Sequence, residues 1–398
     1  MQQPFHRDRL TWLAYLMLAF YGFFLNVLGP ITPYIKSELN LSYTVSSLHF
    51  TAFSFGILLV GFGGHLVIER LGRARSIWVG AAGVSLGAVF LVLGRNPFVT
   101  IGASFMMGLI GSLILAIVPA LLSETHGEQR GIALSESNVI ASLVATGGPL
   151  LVGLFASSLG NWRYALGLVA ISPIFIYLIF GRGVRIAEQH VPRGSAQDAG
   201  AHVPFGADQP LSLRYWIFWV AIVLAVSIEF CMISWSADFL EKVIGMQKDN
   251  AVQAVSLFFI AMIIGRYLGS VLVRRFSIYR LLLVDLLVAA AGFLFFWKSG
   301  ILILALGGLF VTGLGIASTY PLILTLAIGA AGKNTVQASA RATLASGIAI
   351  LALPLVLGRL ADTFGIALAY GVVVILLLSD FLIIFYEQRS ASPKRSSS

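Results

Sequence analysis

Four charged residues inside long apolar stretches are the clearest candidates for chemistry in this 398-residue sequence. Glu136 lies in ALSESNVIAS and Glu229 in AVSIEFCMIS, and Arg266 and Arg341 interrupt two further apolar stretches. A carboxyl group in such surroundings can carry a proton, and a guanidinium can bind a carboxylate or phosphate through two N–H donors. A charge at the centre of a membrane-spanning helix costs at least about 2.5–3.5 kcal/mol. Each of the four therefore needs a partner or a function.

The stretches around these residues are long enough to cross a membrane. The chain is 58% hydrophobic and 11% charged, whereas soluble domains carry about a quarter charged residues. A helix needs roughly 20 apolar residues to cross a bilayer, and such runs recur along the whole sequence. We predict an all-α membrane protein with twelve transmembrane helices, near 12–33, 46–68, 76–94, 99–122, 131–157, 163–181, 214–237, 251–273, 279–297, 300–329, 335–357 and 366–386.

The distribution of basic residues predicts the topology. One orientation places 17 of the 26 Lys and Arg residues in cytoplasmic segments and seven on the opposite face. By the positive-inside rule, both termini are expected in the cytoplasm. The net charge of +9 is therefore interpreted as a topology signal, and nucleic-acid binding is not expected. The single cysteine, Cys231, excludes a disulfide within the chain. No nucleophile–base pair or metal-spaced histidine cluster is visible, so neither a cofactor nor an enzyme activity is expected.

The sequence repeats itself at an offset of 205 residues. GPLLVGLFASSLG, which ends at Gly160, matches LPLVLGRLADTFG, which ends at Gly365, with a proline and two glycines in register. Gly108 and Gly313 match at the same offset. Such a repeat is typical of one class of secondary transporters. The predicted domains are an N-terminal six-helix bundle at 1–181, a cytoplasmic linker at 182–213, a C-terminal six-helix bundle at 214–388 and a cytoplasmic tail at 389–398.

The segment GHLVIERLGRAR at 64–75 resembles the loop 2–3 signature of the major facilitator superfamily. GNWRYALGL and GRLADTFG are similar to other patterns of that superfamily, and the helix count and repeat extend the resemblance over nearly the whole chain. Glu69 stands where the signature usually has aspartate, and one extra residue separates it from Gly64. The resemblance implies two pseudo-symmetric six-helix bundles and alternating access. It also implies a cytoplasmic gate at Gly64, Glu69, Arg70, Gly72 and Arg73.

The same resemblance suggests partners for the embedded charges. It implies that helix 5 packs beside helix 8, so Glu136 is expected to face Arg266. Arg341 occupies the position equivalent to Glu136 in the second repeat and is expected to face Gly61. The Glu136–Arg266 pair either pins the two bundles together or breaks when Glu136 is protonated. Arg341 either binds an anionic substrate or bonds a backbone carbonyl or lipid headgroup.

We predict two groups of site residues. The expected proton-coupling residues are Glu136 and Glu229, although Glu229 also suits a hydrogen-bonding role near the periplasmic side. The expected substrate-binding residues are Arg341, Arg266, Asn138, Tyr21, Asn26, Trp235 and Tyr320. Each polar residue of the second group can instead join helices to one another.

The resulting prediction is a secondary active transporter in the inner membrane that works by alternating access. We expect it to act as a monomer in the lipid bilayer and to use protons, by symport, to move a small organic anion or other polar metabolite. The alternatives are a proton antiporter for drugs or amphiphiles and a membrane sensor that has a transporter fold but does not transport.

Overall fold

The computed structural model describes residues 5–180, 211–332 and 334–391. The predicted linker at 182–213 and tail at 389–398 lie almost entirely outside these described residues. All the regular structure in the described ranges is helical.

The described residues up to Phe180 form six helices. The sixth is interrupted by a turn at Ile171, after its first part at Arg163–Ala170. Their bounds are α1 Arg9–Glu38, α2 Tyr43–Leu71, α3 Arg73–Leu93, α4 Pro97–His126, α5 Arg130–Leu159 and α6 Arg163–Phe180.

Six further helices follow residue 210. The tenth is broken by a turn after Ile316, and the twelfth consists of the pieces Ile366–Ala369 and Gly371–Ala391. The others are α7 Leu213–Lys242, α8 Lys248–Leu272, α9 Ile278–Lys298, α10 Leu302–Ala330 and α11 Thr335–Phe364, and the two pieces together are α12.

The helices are long and apolar enough to cross a membrane twelve times. They form 11 candidate spans, of which Pro97–Leu159 is 63 residues long and contains both α4 and α5. A 3₁₀ turn at Gly127–Gln129 separates these two helices, and it begins at Gly127 with φ +50°. This left-handed conformation favours glycine. The prediction of an all-α membrane protein with twelve transmembrane helices is confirmed.

Side-chain caps set the beginnings of several helices. Asp8 Oδ1 accepts a 2.8 Å hydrogen bond from the Thr11 amide at the start of α1. Ser42 accepts one from the Val45 amide at the start of α2, and Ser212 accepts one from the Tyr215 amide at the start of α7. These bonds satisfy amides that have no partner within the first helical turn.

The chain divides into two compact units, and each carries its own core. The N-terminal unit is Met1–His202 with Lys248–Gln253, and the C-terminal unit is Val203–Gln247 with Ala254–Ser398. The first turns of α8 belong to the N-terminal unit, where Tyr34 donates a 2.7 Å hydrogen bond to Asp249. A Cβ atom on Gly153 would lie 2.6 Å from the Asp249 carbonyl oxygen, so α5 and α8 are in close contact there.

The repeat seen in the sequence is also present in the helix packing. In the N-terminal unit, a Cβ atom on Gly108 of α4 would lie 2.0 Å from the carbonyl oxygen of Phe53 in α2. In the C-terminal unit, a Cβ atom on Gly313 of α10 would lie 2.7 Å from the carbonyl oxygen of Phe258 in α8. Gly313 lies 205 positions after Gly108, and Phe258 lies 205 positions after Phe53. The two units therefore use equivalent glycines for equivalent close contacts between helices.

Replacement of Gly108 by alanine tests this packing. We expect Gly108→Ala to destabilise the protein by about 1–3 kcal/mol, because the added methyl group must push α2 and α4 apart. Gly102→Ala in the same helix is the matched control, since its Cβ atom would meet nothing within 4 Å. Thermal unfolding of the purified protein in detergent measures both variants. Equal melting temperatures for the two would contradict the close α2–α4 approach.

Candidate functional site

An ion pair between α7 and α8 lies within the spans of the C-terminal unit. Arg266 Nη2 lies 3.5 Å from Glu229 Oε1, and the side chains are 45% and 18% exposed. Glu229 stands near the middle of α7, and Arg266 lies six residues before the end of α8. The pair therefore joins two helices by opposite charges at a place where an unpaired charge would be costly.

Small residues around Arg266 bring α8 against the break in α10. A Cβ atom on Gly265 would lie 2.6 Å from both the Ala317 Cβ atom and the Leu314 carbonyl oxygen. Ser318 Oγ donates a 3.2 Å hydrogen bond to the Gly265 carbonyl oxygen. The broken segment of α10 is therefore fixed beside the residue that precedes Arg266.

Tyr320 lies in the second part of α10, two residues after the break. Of the predicted site residues, the structure thus brings Glu229 and Arg266 together. We call Glu229 and Arg266 the α7–α8 site.

The α7–α8 site can alternate between two charge states. When Glu229 is ionised, it neutralises the charge of Arg266 and lies against Nη2 of the guanidinium. When Glu229 is protonated, Arg266 keeps a positive charge that an external carboxylate or phosphate can bind. Removal of only one partner leaves an uncompensated charge in a poorly solvated place. An arrangement of this kind can link proton binding to anion binding.

The comparisons with known proteins agree on the fold. The family model described as the Major Facilitator Superfamily matches residues 14–338. The chain belongs to the major facilitator superfamily. It is thus a multi-pass membrane protein of a secondary-transporter family.

Individual relatives point the same way. The chain is 24% identical over 331 residues to the Protein TsgA homolog of Edwardsiella ictaluri, covering 81% of this chain and 80% of the relative. It is 26% identical over 378 residues to an uncharacterized MFS-type transporter of Yersinia pestis, covering 90% and 92% of the two chains. A crystal structure of a bacterial homolog of the human lysosomal transporter Spinster, in an inward-facing and occupied conformation, matches with a TM-score of 0.77. That match has 16% identity and covers 98% of this chain and 100% of the other, so it shows the fold alone.

Glu136 has a different partner from the predicted Arg266. Arg7, which precedes α1, donates to Glu136 through Nε at 2.8 Å and Nη2 at 2.5 Å. The Tyr15 hydroxyl donates to Glu136 Oε2 at 3.2 Å. This bonding raises the pKa of the Arg7 guanidinium. The resemblance implies partners only among spanning helices, and Arg7 lies outside every predicted span, so it did not predict this pairing.

The chain before α1 is tied to the ends of α4 and α5. Besides Arg7, it contributes Asp8, whose Oδ1 accepts a 2.6 Å bond from the Thr11 hydroxyl. The Thr11 hydroxyl in turn lies 2.8 Å from His126 Nε2 at the end of α4, and the rings of Phe5 and His126 are 4.7 Å apart. Asp8 is a preferred N-cap residue type directly before the first apolar run, and this signal could have placed Arg7 next to the start of α1.

Arg341 lies against an aromatic cluster of α7. Its guanidinium carbon is 5.3 Å from the centre of the Trp216 ring, which is a cation–π geometry. Trp219 Nε1 donates a 2.8 Å hydrogen bond to the Arg341 carbonyl oxygen. Within the part of the chain that the structure describes, no carboxylate pairs with this guanidinium. Its N–H donors therefore remain available to an anion.

The other predicted substrate-binding residues make contacts inside their own units. The Asn26 and Asn138 amides donate to the carbonyl oxygens of Gly22 and Leu134, four residues earlier in the same helix. Their contact with a substrate stays a prediction.

Two aromatic residues of the same predicted group are fully buried. Trp235 donates a 3.3 Å hydrogen bond from Nε1 to the Pro354 carbonyl oxygen. The Tyr21 ring packs 6.0 Å from Phe53, and its buried hydroxyl has no hydrogen-bond partner among the described residues. Tyr21 packs inside the N-terminal unit and Trp235 inside the C-terminal unit. Their contact with a substrate also stays a prediction.

The predicted gate residues surround the α2–α3 turn. Gly72 has φ +81°, a conformation that favours glycine, and it ends α2 directly before α3. Arg73 forms a two-point ion pair with Glu124 at the end of α4, in which Nη2 lies 2.9 Å from Oε1. Gly64 is buried, whereas Glu69 and Arg70 are exposed. The superfamily signature in this chain therefore fixes α3 against α4 through Arg73.

A double-mutant cycle tests the Arg73–Glu124 pair. We expect Arg73→Gln and Glu124→Gln each to destabilise the protein by about 1–3 kcal/mol, because each leaves a half-buried charge without its two-point partner. The double variant should lose less than the sum of the two. Arg75→Gln is the control, since Arg75 is exposed. Chemical unfolding in detergent gives the coupling free energy between Arg73 and Glu124. A coupling free energy of zero would show that the pair does not stabilise the packing of α3 against α4.

Proposed function

We propose that this superfamily member is a proton-coupled transporter of a small organic anion. In this proposal, the α7–α8 site couples proton movement to anion transport. The observation that supports this proposal best is the ion pair of Glu229 and Arg266 inside the spans. Glu229 is the proton acceptor and Arg266 the anion ligand.

The proposed cycle begins with the two residues paired. A proton binds Glu229 and weakens its attraction to Arg266. The carboxylate or phosphate of the solute then replaces Glu229 at the guanidinium, which can offer two parallel N–H donors. Tyr320, two residues after the break in α10, is a further proposed solute contact. After the solute leaves, loss of the proton restores the pair and resets the site.

Arg341 is a second anion ligand in this proposal. A guanidinium held on the face of Trp216 at 5.3 Å keeps its edge free for hydrogen bonds. It therefore suits a second acidic group of the solute or an anion on its way to Arg266. Asn138, Tyr21, Asn26 and Trp235 remain proposed solute contacts.

Glu136 has a mainly structural role in this proposal. Arg7 bonds both carboxylate oxygens, and the Arg7 and Glu136 side chains are 45% and 30% exposed. Arg7 precedes the spans, and ion pairs that water can reach interact weakly. The pair fixes the chain before α1 to α5, and Glu229 carries the coupling.

The proposed setting is the bacterial inner membrane, with both termini in the cytoplasm and one chain as the working unit. The excess of Lys and Arg in the segments on one side of the predicted spans supports this orientation. The compared relatives in Edwardsiella ictaluri and Yersinia pestis are bacterial proteins.

Transport by proteoliposomes tests the proposed substrate class. The protein is assayed with and without an inward proton gradient against monocarboxylates, dicarboxylates, organophosphates, neutral sugars and lipophilic cations. We expect saturable uphill uptake of an acidic solute when the gradient is present. Gradient-driven extrusion of lipophilic cations would favour the antiporter alternative, and ligand binding without flux would favour a sensor.

Substitution of Glu229 separates coupling from transport. We expect Glu229→Gln to lose at least about tenfold of gradient-driven accumulation and to keep exchange of labelled for unlabelled solute, because a neutral amide mimics the protonated carboxyl group. Glu136→Gln is the matched control and should keep accumulation near the wild-type level. Normal accumulation in Glu229→Gln, or its loss in Glu136→Gln alone, would contradict the assignment.

A further inference from the structure

A buried aspartate of α12 lies outside the α7–α8 site and has no assigned function. Asp380 is 0% exposed, and neither of its carboxylate oxygens has a hydrogen-bond partner among the described residues. It lies on the buried face of α12, between Leu377 and Ile384, which are 3% and 0% exposed. This face packs against α7 and α9.

The three helices are fastened together at one end by polar contacts. Arg214 of α7 donates from Nε to Glu387 of α12 at 2.8 Å and from Nη2 to the Tyr279 hydroxyl of α9 at 2.8 Å. The contacts of these three residues fix the relative heights of α7, α9 and α12 at this end.

An aromatic cluster fastens the same helices at the other end. The ring centres of Phe239 in α7 and Phe296 in α9 are 4.7 Å apart, and that of Tyr370 in α12 lies 5.0 Å from the first and 5.7 Å from the second. Because both ends are fixed, residues between them can be assigned to layers by counting along each helix.

Asp380 and a second carboxyl group, Asp285 of α9, fall in the same layer. Asp380 lies seven residues from Glu387, or about 10 Å along the axis, and Asp285 lies six residues from Tyr279, or about 9 Å, at 1.5 Å per residue. Asp285 Oδ2 is also buried without a partner among the described residues. The corresponding residue of α7 is Ala221, seven residues from Arg214.

Among the described residues of α7 and α9, the rest of this layer holds no charged side chain that could neutralise Asp380. On α7 it contains Ala221 and Ala225, and on α9 it contains Leu282 and Leu286, all of them buried. Arg214 is bonded to Glu387 at the end of the three helices. On α7, Glu229 lies about 12 Å further along the axis than Ala221.

The layer favours a proton over a metal ion as the neutralising ligand. An unpaired carboxylate buried among apolar groups is strongly unfavourable, and binding of a proton removes that cost. Ca²⁺ and Mg²⁺ take about six or more oxygen ligands, whereas the layer offers two carboxyl groups among apolar side chains. Across the described residues, no group of three His, Cys, Asp or Glu side chains could hold a metal ion.

We propose that Asp380, with Asp285 in the same layer, is a second proton-binding site, separate from the α7–α8 site. The proton neutralises Asp380 while the three helices are closely packed. The proton leaves Asp380 when water or hydroxide ion reaches the layer. The site does not require an anion, so it goes beyond the proposed function and can be tested without knowledge of the solute.

Infrared difference spectroscopy of the protein in lipid nanodiscs tests the charge of Asp380. We expect Asp380→Asn to remove one neutral-carboxyl C=O band at neutral pH and to leave the ionised-carboxylate bands unchanged. Glu387→Gln is the matched control on the same helix, because Glu387 is also buried but bonded to Arg214. It should remove ionised-carboxylate intensity instead. Asp380→Leu, which keeps the layer apolar, replaces the asparagine variant if that variant does not fold.

Titration of the same band tests whether the proton is exchangeable. As the pH is raised, we expect the wild-type protein to lose neutral-carboxyl intensity in a step that Asp380 variants lack and that Glu229→Gln keeps. Loss of ionised-carboxylate intensity in Asp380→Asn would overturn the proposal. A neutral band that persists to the highest pH at which the protein stays folded would overturn it too.

Discussion

A charge that is buried in a membrane-spanning helix must be neutralised, and each unit of this protein meets that constraint in its own way. The C-terminal unit places Arg266 of α8 3.5 Å from Glu229 of α7, inside the spans. The N-terminal unit instead brings Arg7 from outside the spans to Glu136. The first arrangement joins opposite charges on two different helices. In our proposal, Glu229 is the proton acceptor and Arg266 the anion ligand, and their bond is exchanged for a bond to a solute.

The two units share a scaffold and differ in their chemistry. Gly108 and Gly313 make the same close approach to a neighbouring backbone, to Phe53 and Phe258 respectively. Such contacts tolerate no side chain, so packing preserves them in both repeats. The position of Glu136 in the first repeat corresponds to an arginine, Arg341, in the second. Charged positions are free to differ between repeats, since each needs only a suitable partner nearby.

The sequence predicted the helices better than it predicted the partners. Apolar run length gave all twelve spans, because bilayer thickness fixes helix length. The charges inside these runs also marked Glu229 and Arg266 as candidates, and the structure brings the two together. The partner of Glu136 could not be found in this way, since Arg7 precedes the spans and meets α5 only through the capped start of α1. Asp380 could not be singled out in this way, because one carboxyl group hardly changes the mean hydropathy of its span. Its isolation becomes visible only when α7, α9 and α12 are placed side by side.

The most direct test of the coupling claim measures proton uptake when an acidic solute binds. Purified protein in weakly buffered detergent solution, with a pH indicator, is mixed with the anion that the transport assays select. Because proton binding and anion binding are linked at the α7–α8 site, the wild-type protein should take up about one proton per bound anion at a pH where Glu229 starts ionised. Glu229→Gln should bind the anion without this uptake. Anion binding with no proton uptake by the wild-type protein, or with equal uptake by Glu229→Gln, would contradict the account.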